Sequence, residues 1–409
     1  MRRTILLLCI LASLSAVGRN KVYDPTVKSL QVVVNDDWLS PAVLRLGTDD
    51  VLNVGFDELS HNYHRYIYKL EHCEADWTPS GDLFESDWLE GFNGNPIEDY
   101  ENSLNTTVLY THYRLQIPND RCRLKMSGNY RLHIYDEDDA DEEVLCAEFR
   151  VAESLMSIGL GVTSNTDIDF NLSHQQVSMT VDFGSIRVTN ADDQIYTVVM
   201  QNGREDNQKI NPRPNYIQPN RLQWEHNRDL IFDAGNEYHK FEVLDVSHAT
   251  MGIDRMVWDG NYYQAYPFVD TPRRSYIYDQ DANGAFYIRN SDNIENDRTC
   301  DYVYVNYKLQ PLEQYDFDVV VDGDWTTEDA SLYVMTYNES DHSYNARILQ
   351  KQGYYSYQYL LRKNDGQTAV VPEEGSFFEA ENKYQGFVYY KGVTDRTWRL
   401  VGYQQIYMR

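Results

Sequence analysis

Basic residues are scarce in this chain. Its 409 residues hold 36 Lys and Arg against 64 Asp and Glu, a formal charge of −28. A nucleic-acid binder needs a basic surface to meet phosphate, and no Lys/Arg cluster longer than a pair offers one. Cysteine is rarer still. After Cys9 only Cys73, Cys122, Cys146 and Cys300 remain, and no two share the short spacing of a zinc finger, so no metal is expected on that ground. Long apolar runs are also missing. Beyond the N-terminus charges interrupt every hydrophobic stretch well short of the roughly twenty residues a membrane helix needs, which argues against direct membrane insertion. A Gly-x-Ser-x-Gly elbow, a phosphate loop and a dinucleotide fingerprint are all lacking, as is any long amphipathic helix pattern. Nothing here requires an enzyme or a cofactor.

What the sequence does hold is aromatic side chains in alternation. Aromatics make up 13% of the chain and Tyr alone supplies 34 residues, which excludes an acidic disordered polymer and favours strands over helices. Val51-Leu52-Asn53-Val54-Gly55-Phe56 alternates with period two, and 63–73 continues with alternating aromatics. Segments 129–135 and 144–151 read as a hairpin around the acidic run 136–143, which lacks the glycine and spacing of a calcium loop and reads as a solvated turn. Further strands are expected at 177–183, 195–201, 221–232, 240–246, 301–309, 315–321, 330–337, 346–349, 354–361, 381–391 and 398–403. The pattern predicts an all-β chain of tandem β-sandwiches, immunoglobulin-like or early-set-like, with little helix. The expected division is a signal peptide over 1–18, an N-terminal β-sandwich over 19–153, a middle β-rich domain over 154–295 and a C-terminal early-set-like sandwich over 296–409.

The signal peptide rests on Arg2 and Arg3, an apolar stretch from Ile5 to Leu14, and small residues at Ala16 and Gly18. An exported chain meets oxidising conditions, where the four later cysteines allow three complete pairings. A Cys122–Cys146 bridge is the single bond expected first, with Cys73 and Cys300 as buried free thiols the plainer reading of those two.

Three groups of residues invite chemistry. In His72-Cys73-Glu74-Ala75-Asp76-Trp77, a strand would place His72, Glu74 and Asp76 on one face like a ligand triplet, with His112 as a distant partner. The favoured reading is a strand end followed by a turn, with Trp77 packed and the polar groups capping backbone. Acid pairs suited to glycoside hydrolysis, such as Asp57-Glu58 with Asp99 and Glu101, come too cheaply in so acidic a chain to carry weight. Tyr355, Tyr357 and Tyr359 would face one way on a strand, either as a sugar-stacking platform or protein interface, or as sandwich interior.

Taken in order, further motifs resemble the Plug proteins of the type IX secretion system. They run from Tyr23-Asp24-Pro25-Thr26 through Leu44-Arg45-Leu46-Gly47, Phe56-Asp57-Glu58-Leu59 and the His72–Trp77 segment. Leu89-Glu90-Gly91-Phe92, Asn102-Ser103-Leu104-Asn105-Thr106, Tyr110-Thr111-His112-Tyr113 and Ser127-Gly128-Asn129-Tyr130 follow. Gln352-Gly353-Tyr354-Tyr355-Ser356-Tyr357, Glu374-Gly375-Ser376-Phe377 and Leu400-Val401-Gly402 close the series. Cys146-Ala147-Glu148-Phe149-Arg150 and Asp395-Arg396-Thr397-Trp398 depart from the family pattern. The motif residues His72, Asp76, Trp77, Gly91, Asn105, Thr106, His112, Tyr113, Gly128, Asn129, Tyr130, Tyr355, Tyr357 and Gly375 are expected to be structural. The resemblance implies a periplasmic, non-enzymatic plug that occludes the periplasmic opening of an outer-membrane translocon barrel, its protein partner. Two other readings stay open: an exported carbohydrate-binding protein, from the Tyr355 tract, and a secreted hydrolase, from the acids with His72 and His112.

Intact-mass measurement of the exported protein should give an N-terminus between Ser15 and Arg19. Recovery of the uncleaved chain outside the cytoplasm would remove the compartment argument.

Overall fold

The computed structural model describes residues 20–139, 142–363 and 366–408, and the expected signal peptide lies outside them. Strands take 48% of the described residues and helix 6%, arranged in several antiparallel sheets that pack as β-sandwiches, so the all-β expectation holds. No helix among the described residues is long and apolar enough to cross a membrane.

Alternation builds the first sandwich. In strand Tyr66–Cys73 the side chains of Tyr66, Tyr68, Leu70 and His72 are buried while Ile67, Lys69 and Glu71 stay partly exposed, as a pleated strand with one dry face requires. It pairs with Gly128–Asp136, which pairs in turn with Glu143–Ala152, while Val43–Arg45 runs parallel along the far edge. The facing sheet joins Val27–Val34, Leu52–Glu58, Thr111–Ile117 and Asp99–Asn102. Phe56, Tyr66, Tyr113, Tyr130, Leu132 and Phe149 fill the space between the two sheets.

Packing then groups the strands otherwise than in consecutive thirds. A second sandwich sets Ser157–Thr163, His174–Asp182 and Arg221–Trp224 against a sheet of Ile195–Gln201, Asn382–Tyr390 and Arg399–Met408. The end of the chain therefore returns to the middle unit, where Tyr384, Val388 and Val401 share a core with Val177, Met179 and Trp224. The third sandwich lies between, with Tyr302–Leu309 and Ser343–Lys351 in one sheet and Gly353–Arg362 at the centre of the other. The expected division at 295/296 falls inside it, because Phe241, Val243 and Ile288 pack directly on Val303, Val305 and Tyr307.

Two expected strands are broken. Ala330–Tyr333 is a 3-10 turn, started by the Asp329 carboxylate, which accepts from Ser331 N at 2.8 Å. Segment 221–232 is cut at His226, whose φ of 52° turns the chain before Arg228–Leu230 coils and Ile231–Asp233 pairs with another part of the sheet. The expected Cys122–Cys146 bridge is not formed either. All four described cysteines are buried free thiols. Cys122 sits in the first core, 3.6 Å from the Tyr68 hydroxyl, whereas Cys146 pairs with His133 on the face of its sheet that points away from that core.

Candidate functional site

Four buried polar groups meet where the first sandwich rests on the third. Asp57, on strand Leu52–Glu58, and Lys351, at the end of Ser343–Lys351, each keep 1% side-chain exposure and lie 2.6 Å apart. The other carboxylate oxygen of Asp57 is 2.6 Å from His112 Nδ1, and the Tyr302 hydroxyl donates to Asp57 Oδ2 at 2.6 Å. Lys351 Nζ also donates to the Asp297 carbonyl at 2.6 Å and lies 4.2 Å from the centre of the Tyr110 ring. Burial alone would raise the Asp57 carboxyl, but the Lys351 ammonium and His112 outweigh it and hold the carboxyl below its ordinary value. Burial, then the Asp57 charge, pushes the Tyr302 hydroxyl well up, which keeps it a donor. Around this hub Asp301 accepts from Thr107 N at 2.7 Å and Val108 N at 3.0 Å, and Lys28 pairs with Glu328.

The second junction joins the first sandwich to the middle one, and its chemistry differs. Val43, Ala75 and Ala152 pack on Val198, Met200, Phe387, Tyr389 and Leu400. Arg150 lies between two rings, 4.9 Å from the Trp77 centroid and 4.5 Å from that of Phe387, a partly buried cation–π contact. The Tyr389 hydroxyl donates to Asn129 Oδ1 at 2.7 Å, while Asn129 Nδ2 donates to the Glu74 carbonyl at 2.9 Å. Glu74 accepts from Trp398 N at 3.1 Å. His72 Nδ1 is 2.9 Å from Ser80 Oγ, which lies 3.1 Å from Thr397 Oγ1, so the imidazole anchors a chain of hydroxyls that crosses the junction. A Cβ at position 128 would stand 2.5 Å from His72 Nε2, and with φ at 149° that position calls for glycine.

Residues 27–153 match the family described as type 9 secretion system plug protein, 1st domain. The chain belongs to the plug family. Nearly its whole length also superposes on a crystal structure, at 2.30 Å resolution, of a hypothetical protein from Parabacteroides merdae ATCC 43184. That match has 35% identity and a TM-score of 0.92, and covers 95% of this chain and 99% of that one. An overlay on trypsin-activated alpha-2-macroglobulin from Escherichia coli covers 93% of this chain and 28% of that one, at 8% identity; its TM-score of 0.17 carries no argument. No curated protein matches the chain.

Most of the motif residues inside the plug-family region face inward or toward a neighbouring sandwich. His72, Trp77 and Asn129 lie at the middle junction, and His112 lies in the charged hub. Tyr113 and Tyr130 are core side chains whose hydroxyls reach backbone, at His64 and Met126. Asp76 is exposed and caps a turn by accepting from Thr78 N at 3.1 Å, so His72, Glu74 and Asp76 do not converge as ligands. Gly91 has a φ of 112° at the end of strand Leu89–Gly91, where it pairs with Cys122, Asn105 has a φ of 59° in a bend, and Thr106 is partly buried in the same loop as Asn105. Further along, Gly375 has a φ of 74° beside Glu374. Glu374 Oε1 lies 2.8 Å from His239 Nε2, and the opposite ring nitrogen lies 2.9 Å from Asp270. Tyr357 and Tyr359 both donate to Asp270 Oδ2, at 2.9 and 2.5 Å. With Tyr355, they are interior side chains of the third sandwich rather than a platform. Asp99 and Glu101 both pair with Arg114, each at 3.0 Å, and do not meet Asp57 as a hydrolytic pair.

Sequence reasoning missed Lys351, Tyr302 and the group around His239. A lysine within an apolar alternating strand was the available signal, since a buried ammonium demands a partner.

Asp57→Asn should leave the Lys351 charge buried without a counter-charge and lower stability by about 3–5 kcal/mol, as read by denaturant unfolding. Adding Lys351→Met should recover most of that loss; a double variant no more stable than the single one would show that the pair is not what holds this junction.

Trp77→Ala should cost about 3–5 kcal/mol through lost packing and the vacated cation site. His72→Ala should lower the melting temperature as well. A Trp77→Ala protein with unchanged stability would place the indole outside the junction.

Proposed function

We propose that this protein binds the periplasmic side of the type IX secretion translocon in the outer membrane and occludes it, without performing chemistry. Membership of the plug family carries the reading. The export signal supports a periplasmic address, and the acidic balance of the chain suits a soluble exported protein. Within this reading the residues around 19–153 form the unit that the rest of the chain braces. His72, Trp77, His112 and Asn129 hold that unit in place and do not touch the partner. A stopper must be stiff, because a hinged one would let small molecules past while still bound. Two unlike junctions, one charged and one apolar, favour that stiffness.

The carbohydrate-binding alternative drew on the Tyr355 tract, whose burial removes its motive. The hydrolase alternative drew on His72 and His112, which lie at different junctions. A plug must also come off when cargo passes, so an interface of standard size, roughly 1,200–2,000 Å² in total, suits it better than an obligate one. If acidic residues of this chain meet basic ones on the barrel, raised salt should speed release.

Deleting the gene should make the outer membrane leaky to molecules too large for ordinary porins, provided the translocon is present. The same deletion in a strain lacking the translocon should change nothing. Equal leakage in both strains, or none in either, would sink the reading.

A further inference from the structure

We propose that His133, Glu143 and Cys146 form a zinc site on the outer face of the first sandwich. This goes beyond the plug role and departs from the absence of metal expected from cysteine spacing. His133 and Cys146 sit directly opposite each other on strands Gly128–Asp136 and Glu143–Ala152, so their side chains share a face. Glu143 should not share it. It precedes Cys146 by three residues, an odd separation that in a regular strand points to the other side.

A β-bulge reverses that. The register shifts between Ile134 and Tyr135, so that Tyr135 pairs with Glu143 and both Val144 and Leu145 turn into the core. Glu143 is thereby re-aimed to the Cys146 face, the use to which bulges beside functional sites are put. The result is one nitrogen, one oxygen and one sulfur donor, all within 4.8 Å of one another. His133 Nδ1 lies 2.6 Å from Glu143 Oε1, and the two side chains keep 18% and 28% exposure, so an ion could enter from solvent.

The ring is also oriented as a ligand would be. His133 Nε2 faces Glu71 Oε2 at 3.5 Å, across strand Tyr66–Cys73, and a carboxylate on the far nitrogen is the usual support of a metal-bound imidazole. Lys69, the cross-strand neighbour of His133, turns its ammonium onto the Tyr135 ring at 4.4 Å. Glu148, two residues beyond Cys146, is engaged by Arg131 at 2.9 Å and is not counted as a ligand. A thiolate with an imidazole disfavours calcium and magnesium, which take oxygen ligands, and matches zinc, with one coordination position left for water. Binding takes a proton from the Cys146 thiol and from any protonated His133, and these leave to solvent.

The test is calorimetric titration of the purified exported chain with zinc sulfate in a non-thiol reductant, alongside cobalt substitution. The expected result is one zinc per chain and, with cobalt, a thiolate charge-transfer absorption in the near ultraviolet. Cys146→Ser, His133→Gln and Glu143→Gln should each weaken zinc by more than about 100-fold, and Glu71→Gln by roughly 10–100-fold as an outer-shell change. Melting curves without metal show which variants are folded, and any one folded ligand variant suffices for the comparison. No zinc uptake, or uptake that every folded variant retains with no thiolate band, would overturn the site and leave an imidazole held between two carboxylates. Loss of zinc binding would leave the leakage result untouched, so the two proposals fail separately.

Discussion

How the first sandwich sits on the third depends on one buried ion pair. An aspartate and a lysine, each almost wholly removed from water, are tolerable only while they face each other. Asp57 belongs to the first sandwich and Lys351 to the third, so sliding the two units out of register while they stay in contact would leave two charges unpaired in a dry interface. The remaining lone pairs and protons are also used, by His112, Tyr302 and the Asp297 carbonyl. Such a pair adds little net stability over a well-packed apolar contact, but it penalises every misalignment. It therefore acts as a register mark between two surfaces.

The junction with the middle sandwich complements it. There the driving force is apolar area around Phe387, Tyr389 and Leu400, which is large but indifferent to small rotations. Direction comes from Arg150, clamped between two ring faces, and from Asn129, whose amide serves the Glu74 turn of its own sandwich with its nitrogen and the neighbouring sandwich with its oxygen. Because strands Asn382–Tyr390 and Arg399–Met408 pair back onto Ile195–Gln201, the third sandwich is inserted in sequence between the two parts of the middle one. The covalent path and the two junctions thus bind three units into one arrangement.

How much of this was legible in the sequence follows from range. Period-two alternation is local, and it revealed the strand Tyr66–Cys73 and the hairpin that includes Gly128–Asp136. It failed at 330–333, where an apolar run reads alike as strand or coil and the Asp329 cap decides. Ser157–Thr163 escaped notice because Gly159 and Gly161 dilute its alternation. The motif segments were legible as segments, yet their meaning was not. His72 looked like a ligand because its neighbours were acids, and only the fold sends Glu74 to Trp398 and Asp76 to its own turn. Asp57 and Lys351 stand 294 residues apart, and no local pattern couples them. The cysteines mislead for a related reason: nearness in sequence says nothing of which face of a sheet each thiol occupies.

The bulge at Ile134/Tyr135 shows the same limit from the other side. Read as a regular hairpin, the segment puts Glu143 in the core and leaves Cys146 alone with His133. One extra residue changes which side chains meet, and with it the chemistry available on that face. Faces, rather than spacings, decide what a β-protein can bind. In this chain the inward faces are given over to packing and the junction faces to alignment. The outer face of the first sandwich is shared between the middle-sandwich junction at Arg150 and the cluster of His133, Glu143 and Cys146.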